Sequence, residues 1–297
     1  MTDQIWIDRT RALLLAGTVE SLNRLDGAIS DGTTATFSVE FPTGPIVVGS
    51  IIEIDTELMY VTSTSGLSVT VMRGYGASTA PGAGHIDNSI IRVNPQYPSH
   101  QILSFLNDDL NDLSSPNNGL YQIKTKEFTY SAATQGYDMN TDVVGVHRVT
   151  FTDPTSDLSE PEVRRWSVRR NRNTATFASG IALVLTDVPM SGQTVLVEYS
   201  APFTTLTNGS STLASTGLHA EAYDLPPLGA ALGLMTMKPI PRESVTSQGP
   251  MRRAEEVPSG AISASLRDLR FRRQDRITAE ATRLSRLYPV QWVRSGR

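Results

Sequence analysis

Between Ile52 and Met72 the chain carries a tight alternation of apolar and polar residues, "IEIDTELMYV" and then "LSVTVM", separated by a single Ser-Thr-Ser-Gly stretch. A period of two places alternate side chains on opposite faces, which suits a half-buried strand and no helix. Ile52 to Val61 and Leu67 to Met72 are therefore expected to form a hairpin around residues 63–66, and Gly74, Gly76, Gly82 and Gly84 let the following chain bend where side chains would clash.

That glycine-rich stretch carries little chemistry. "GYGAST" opens as G-x-G but lacks the third glycine of a dinucleotide loop and opens no helix, and "PGAGH" is broken by Pro81. Arg73, at a strand end, is expected to pair with Glu57 or Asp55 of the same hairpin rather than to clamp a phosphate. His85 has no second histidine at metal-ligand spacing, since His100, His147 and His219 lie far apart. No cofactor, no metal site and no catalytic residue is expected, because nucleophile elbows and Lys-Ser/Thr phosphate loops are also missing from the sequence. The tandem acids Asp108/Asp109 and Glu255/Glu256 would diverge by about 100° on a helix and are read as solvated.

Along the rest of the chain, "IDRTRALLLAG" reads as a short helix with Asp8 as N-cap and Gly17 as stop, and "ATFSVEF" as a strand. From Ser99, read as an N-cap, Ile102, Leu103, Leu106, Leu110 and Leu113 recur at helical spacing. A second β-region follows from Gly119, with short Val-, Thr- and aromatic-rich runs divided by turn residues, the pattern of an antiparallel sandwich. Thr204 to Leu218 reads as a polar linker. A helix is expected from Pro226 or Pro227 with Leu228, Ala231, Leu232 and Met235 on one side, then an exposed arm over 239–260. The last helix spans roughly Ile262 to Tyr288, with Ile262, Leu266, Leu269, Ile277, Ala281, Leu284 and Leu287 in a stripe broken by Arg273.

Charge is unevenly spread. The net charge is −4, yet Arg252 to Arg297 hold eleven arginines against five acids, leaving an acidic body upstream. Arg267, Arg270, Arg272, Arg273, Arg276, Arg283 and Arg286 outnumber the acids of their own helix, so some need outside partners. An interface is expected there, with Leu266, Leu269, Ile277 and Leu284 as its apolar part. In "RRWSVRRNR", Trp166 and Val168 should face a core while Arg165, Ser167 and Arg169 face out. Arg164, Arg165, Arg169, Arg170 and Arg172 are candidate contacts for DNA or a partner. Cysteine is absent, which excludes disulfides and thiolate chemistry. No apolar run approaches the roughly 18 residues of a membrane span, and acidic Asp3 and Asp8 stand where a secretory leader would be basic, so a soluble protein without membrane contact is expected.

The segment from Gly49 to Pro95 resembles a small β-module of tailed-bacteriophage virion proteins. Glu57, Met59, Val61, Thr62 and Ser63, then Val69, Thr70, Val71, Arg73, Gly74 and Tyr75, and finally His85 carry the likeness. The order of parts over the whole chain resembles a head-to-tail connector, or neck, protein. The resemblance implies a structural virion protein at the capsid–tail junction, assembled in the host cytoplasm, without enzymatic activity. It also implies a homo-oligomeric ring, often twelvefold, touching the portal and other neck or tail proteins and passing DNA without reading its sequence. The expected fold is mainly β with flanking helices. Its parts are an N-terminal helix or arm (1–25), a small β-module (26–97), a linking helix (98–118), a β-sandwich (119–205), a linker (206–224) and an arginine-rich helical arm (225–297). The alternative is a tail or baseplate accessory protein whose sandwich binds carbohydrate through Tyr121, Tyr130, Tyr137 and Trp166.

Overall fold

A computed structural model describes residues 2–15, 20–152, 160–186, 190–207, 211–237 and 261–289, with backbone alone for 237 and 261–265. The chain is a mixture of antiparallel sheets and helices, as its alternating and helical periodicities require. It divides into two compact units, Met1–Leu110 with Thr205–Gln274, and Asn111–Thr204 with Asp275–Arg297.

The first unit is built on a closed six-stranded barrel with the order β1 (Ser21–Asp26), β2 (Thr36–Val39), β5 (Ser68–Met72), β4 (Glu57–Ser65), β3 (Ile51–Ile54) and β6 (Ile90–Val93). The expected hairpin is β4–β5, with β3 folded back on β4 so that Ile52 faces Met59. Inward-pointing Val39, Ile52, Ile54, Met59, Val61, Val69 and Ile91 are fully buried and fill the interior. Closure removes the sheet edges that would otherwise invite pairing with another chain. It depends on β1, which pairs with both β2 and β6. The barrel thus starts at Ser21, five residues before the expected boundary at 26. "SLNRLD" hides its strand character, because the inward residues are Asn23 and Leu25. Asn23 is satisfied there by accepting from the amide of Phe41 (3.1 Å) and donating to its carbonyl (3.0 Å).

Helix α1 (Gln4–Leu14) starts before Asp8, correcting the expected N-cap, because Trp6 and Ile7 are both fully buried. The expected stop at Gly17 lies outside the described residues. Trp6 meets Tyr223 edge-on at 5.6 Å. Helix α2 (Ser99–Leu113) buries all five of its predicted apolar residues. Ser99 is its first helical residue rather than its cap, with its amide donated to the remote carboxylate of Glu53 at 2.6 Å. The same Glu53 accepts from Arg11 (2.8 Å) and from the Ser99 hydroxyl (2.8 Å), tying α1, the barrel and α2 together. Burial pushes Glu53 upward and Arg11 downward from their ordinary values, against their mutual attraction.

Helix α3 (Leu225–Met237) starts one residue before the expected prolines, but its buried residues are Leu225, Pro226, Pro227, Ala230, Ala231 and Leu234, whereas Leu228, Leu232 and Met235 stay half-buried. The difference arises because small residues let α3 approach α2. A Cβ on Gly233 would meet the Phe105 ring at 2.6 Å, and one on Gly229 would overlap the Asp109 carboxylate. The stretch read as a polar linker is also packed where described. Leu206, Leu213 and Leu218 are buried, and Asn107 clamps Leu206 through both its amide and its carbonyl. Single leucines spaced five and seven apart among Ser and Thr carry no periodic signal. Residues 208–210 and the arm at 239–260 lie outside the described residues.

In the second unit two three-stranded sheets enclose one core. One has the order β7 (Gln122–Thr129), β12 (Thr194–Ala201), β9 (Gly145–Phe151), and the other β10 (Trp166–Arg169), β11 (Ala182–Leu185), β8 (Tyr137–Asp138). Leu183, Val195, Val197 and Tyr199 are its fully buried centre. Helix α4 (Ala261–Leu287) begins in the first unit and ends in the second. Among the described residues no helix is long and apolar enough to cross a membrane.

Candidate interaction surface

Four of the residues that carry the β-module likeness, Glu57, Arg73, Gly74 and His85, meet in one buried ionic cluster. The hairpin brings the end of β5 beside the start of β4, so Arg73 grips Glu57 with Nε on Oε1 and Nη2 on Oε2, both at 2.7 Å. The second Arg73 terminal nitrogen, Nη1, donates to the carbonyls of Thr34 (2.9 Å) and Asp31 (3.3 Å). The Gly74 amide adds a bond to Glu57 Oε1 at 3.0 Å, and His85 Nε2 lies 2.8 Å from Oε2. The other ring nitrogen of His85, Nδ1, is 2.7 Å from Asp55. Glu57 is fully buried and already holds four donors, so its carboxylate has no lone pair left for a substrate. The amide of Gly74, which a phosphate loop would need, is engaged by Glu57. The expected Arg73–Glu57 pair is present; the role of His85 as the bridge between two carboxylates is not visible in the sequence.

Electrostatics follow from this geometry. Burial alone would raise the Glu57 carboxyl, but hydrogen bonds from His85, Arg73 and the Gly74 amide hold it at about 2. Burial alone would lower His85, but its bonds to Asp55 and Glu57 raise it above its ordinary value. An imidazole with a carboxylate on each nitrogen is a donor twice over, hence a cation. The stability contributed by His85 is fully present below its unfolded value of 6.5 and is lost as pH rises through the raised folded value. That of Glu57 is fully present above 4.5 and is lost as pH falls toward about 2. The cluster therefore contributes most between these limits. In thermal melts across pH, the wild-type advantage over H85N should be largest between about pH 4.5 and 6.5 and shrink at higher pH. An advantage that grows with pH would contradict the cationic assignment.

The arginines of α4 sort into two sets. Arg273 is the exception to the idea that this helix seeks outside partners at every break, because it pairs with buried Asp109 of α2 at 2.6 Å. Asp109 is thus a structural acid, not half of a solvated pair; Asp108 is exposed, as the helical turn between them demands. Arg283 bonds Glu280 one turn back with both oxygens, at 3.0 and 2.9 Å. Arg272 makes an exposed i,i+4 pair with Asp268 at 2.9 Å, and Arg276 is half-buried. Arg267, Arg270 and Arg286 are exposed and have no ion-pair partner among the described residues. Of the expected interface leucines and isoleucine, Ile277 and Leu284 are buried within the chain, correcting their assignment to an outside contact, while Leu266 and Leu269 are half-buried. Glu255 and Glu256 lie outside the described residues.

Sequence reasoning missed Phe271, which is 69% exposed. Residues 267, 270, 271 and 274 are spaced i, i+3, i+4 and i+7 and share one helix face. Arg267, Arg270 and Phe271 accordingly line an open groove with Leu232 of α3 and with Arg273 and Gln274.

The strand arginines behave as alternation requires. Trp166 and Val168 pack half-buried against the core of the second unit, and Arg165, Ser167 and Arg169 face out. Arg170 is occupied, donating to the carbonyls of Val143 (2.9 Å) and Val144 (2.6 Å). Arg164, Arg165, Arg169 and Arg172 are exposed. The four aromatics of a carbohydrate platform are each engaged elsewhere. Tyr130 is buried, Tyr137 stacks on Phe128 at 4.0 Å and bonds Ser131, Trp166 packs on the core, and Tyr121 stacks on His147 at 5.2 Å.

No protein-family model matches the chain, and no curated protein matches it. Among the described residues no group of three or more His, Asp or Glu side chains is arranged to hold a metal ion.

Proposed function

We propose that this chain is a structural virion protein of a tailed bacteriophage, a subunit of a ring in the head-to-tail connector at the capsid–tail junction. The observation that carries this reading is the exposed face of α4, where Arg267, Arg270 and Phe271 stand together without an ion-pair partner among the described residues. An exposed aromatic flanked by unpaired arginines is the composition of an interface centre rather than of a solvated face. The likeness of Gly49 to Pro95 to a virion β-module supports the same reading, because its motif residues Glu57, Arg73 and His85 serve to brace a barrel instead of meeting a substrate. Portal and other neck or tail proteins are the neighbours this reading supplies, and the exposed strand arginines are free to meet them or passing DNA.

The tail-accessory reading lacks an exposed platform, since Tyr130 is buried, Tyr137 and Trp166 pack against the core of the second unit, and Tyr121 stacks on His147. Negative-stain imaging of particles labelled with antibody to this chain tests the choice. Label at the capsid vertex, around the tail attachment, is the expected result; label at the tail tip would overturn the connector reading.

A further inference from the structure

We propose that the Arg267/Arg270/Phe271 face of α4 docks on the Ile86 corner of the barrel in a second copy of this chain; this rests on the ring reading above and names its contact. Ile86 is 77% exposed, more than any other large apolar side chain among the described residues. It is not exposed for want of order. His85 beside it is fixed by Asp55 and Glu57, and the His85 amide and carbonyl both bond Ile29, at 2.8 and 2.9 Å. On its other side the Asp87 carboxylate accepts from the amides of Gly27 and Asn88, both at 2.9 Å. The corner is therefore a rigid turn that holds an isoleucine outward.

Its rim is acidic. Asp87 adjoins Ile86, Asp26 precedes the Gly27 that Asp87 holds, and Asp55 is 58% exposed beyond His85. Arg24 lies on the same face of β1, two residues further along, opposite Ile90. Asp26 and Asp87 have no ion-pair partner among the described residues. An apolar centre with an acidic rim thus stands on the same polypeptide as an apolar centre with a basic rim. Both carry charges that the described part of the chain leaves unmatched. Opposite rims around apolar centres give orientation and speed of encounter as well as area. The prebuilt corner also lowers the ordering cost of association.

Because the two surfaces differ, the contact is head-to-tail. Each added copy satisfies one surface and offers the other, so repetition closes into a ring when the rotation per copy divides the circle. DNA could satisfy the basic face but not the acidic corner, and for that reason a second copy is the better occupant.

Charge exchange tests the contact on the full-length chain, with mass photometry reading assembly and thermal melts reading fold. R267E/R270E and D26R/D87K should each weaken self-association by about 100-fold or more at low salt, and combining all four changes in one chain should restore it. Since Asp87 also holds Gly27, I86S and F271S provide variants that leave the charges intact and should weaken assembly as well. Folded single-surface variants that assemble normally, or a four-fold variant that fails to recover, would overturn this contact while leaving the ring reading standing. A wild-type chain that stays monomeric would overturn both. If R267E/R270E assembles normally but loses salt-sensitive binding to a DNA duplex, the α4 face is a nucleic-acid site and the docking proposal is wrong.

Discussion

Replacing Glu57 with alanine should destabilise the barrel unit by about 3–5 kcal/mol, the cost of leaving a buried charge without its partner. Two cations lose their common anion in that variant. Arg73 and His85 are almost wholly buried, at 8% and 1% side-chain exposure, and neither can turn to water without opening the loop it holds. Arg73 would keep its bonds to the Thr34 and Asp31 carbonyls, so the loop before β2 should loosen rather than detach. The expected signature in urea unfolding is a lower midpoint with an unchanged slope. Because Glu57 and Arg73 act as one group, E57A/R73A should cost less than the two single losses together, by about 1–3 kcal/mol. Strict additivity would show that the bidentate pair contributes little.

The second large effect concerns one glycine. Gly84 has φ +70°, and a Cβ there would fall 1.8 Å from the Ile29 carbonyl oxygen and 2.8 Å from the Asp31 amide. All are backbone atoms, and those of Ile29 are held by the Ile29–His85 bridge, so they cannot swing aside as a side chain would. G84A must either break that bridge or shift the chain that delivers His85 to Glu57, and a loss of about 3 kcal/mol or more is expected. Gly82, two residues earlier, has an ordinary φ, and a methyl group added to it would meet nothing within 4 Å, so G82A should change stability by no more than about 0.5 kcal/mol. Calorimetry of the two variants side by side separates a special site from general loop intolerance. Equal effects would mean that the close approach at Gly84 is not a constraint.

The strand hairpin and the Arg73–Glu57 pair were legible because both partners lie on neighbouring strands, where cross-strand charge pairing is a local rule. The leucines of α2 were legible for the same reason, since helical spacing is local. What the sequence hid was closed over distance. His85 joins Glu57 across 28 residues, and Arg273 joins Asp109 across 164. The break at Arg273 in an apolar stripe was visible; that its answer lay inside the chain was not. Asp109 looked like half of an exposed acidic pair because a single sequence shows the angle between neighbours but not the helix opposite. The glycines of α3, which make room for Asp109 and Phe105, look from composition alone like weak helix residues.

The exposed surfaces were half legible. Surplus arginine over acid announced that α4 needed partners, and the structure narrows that surplus to Arg267, Arg270 and Arg286. Phe271 and Ile86 gave no sequence signal, because one exposed apolar residue beside charged ones is common in any surface. Their importance arises only when each is seen fixed in place with unmatched charge around it.

Self-assembly through charged rims is tested at its root by weighing the full-length chain in solution as salt and concentration are varied. A discrete closed assembly should form at low salt and dissociate as added salt shortens the screening length below about 8–10 Å and weakens the exposed arginine–carboxylate contacts. A single species of monomer mass, unchanged by salt at every concentration, would rule that assembly out.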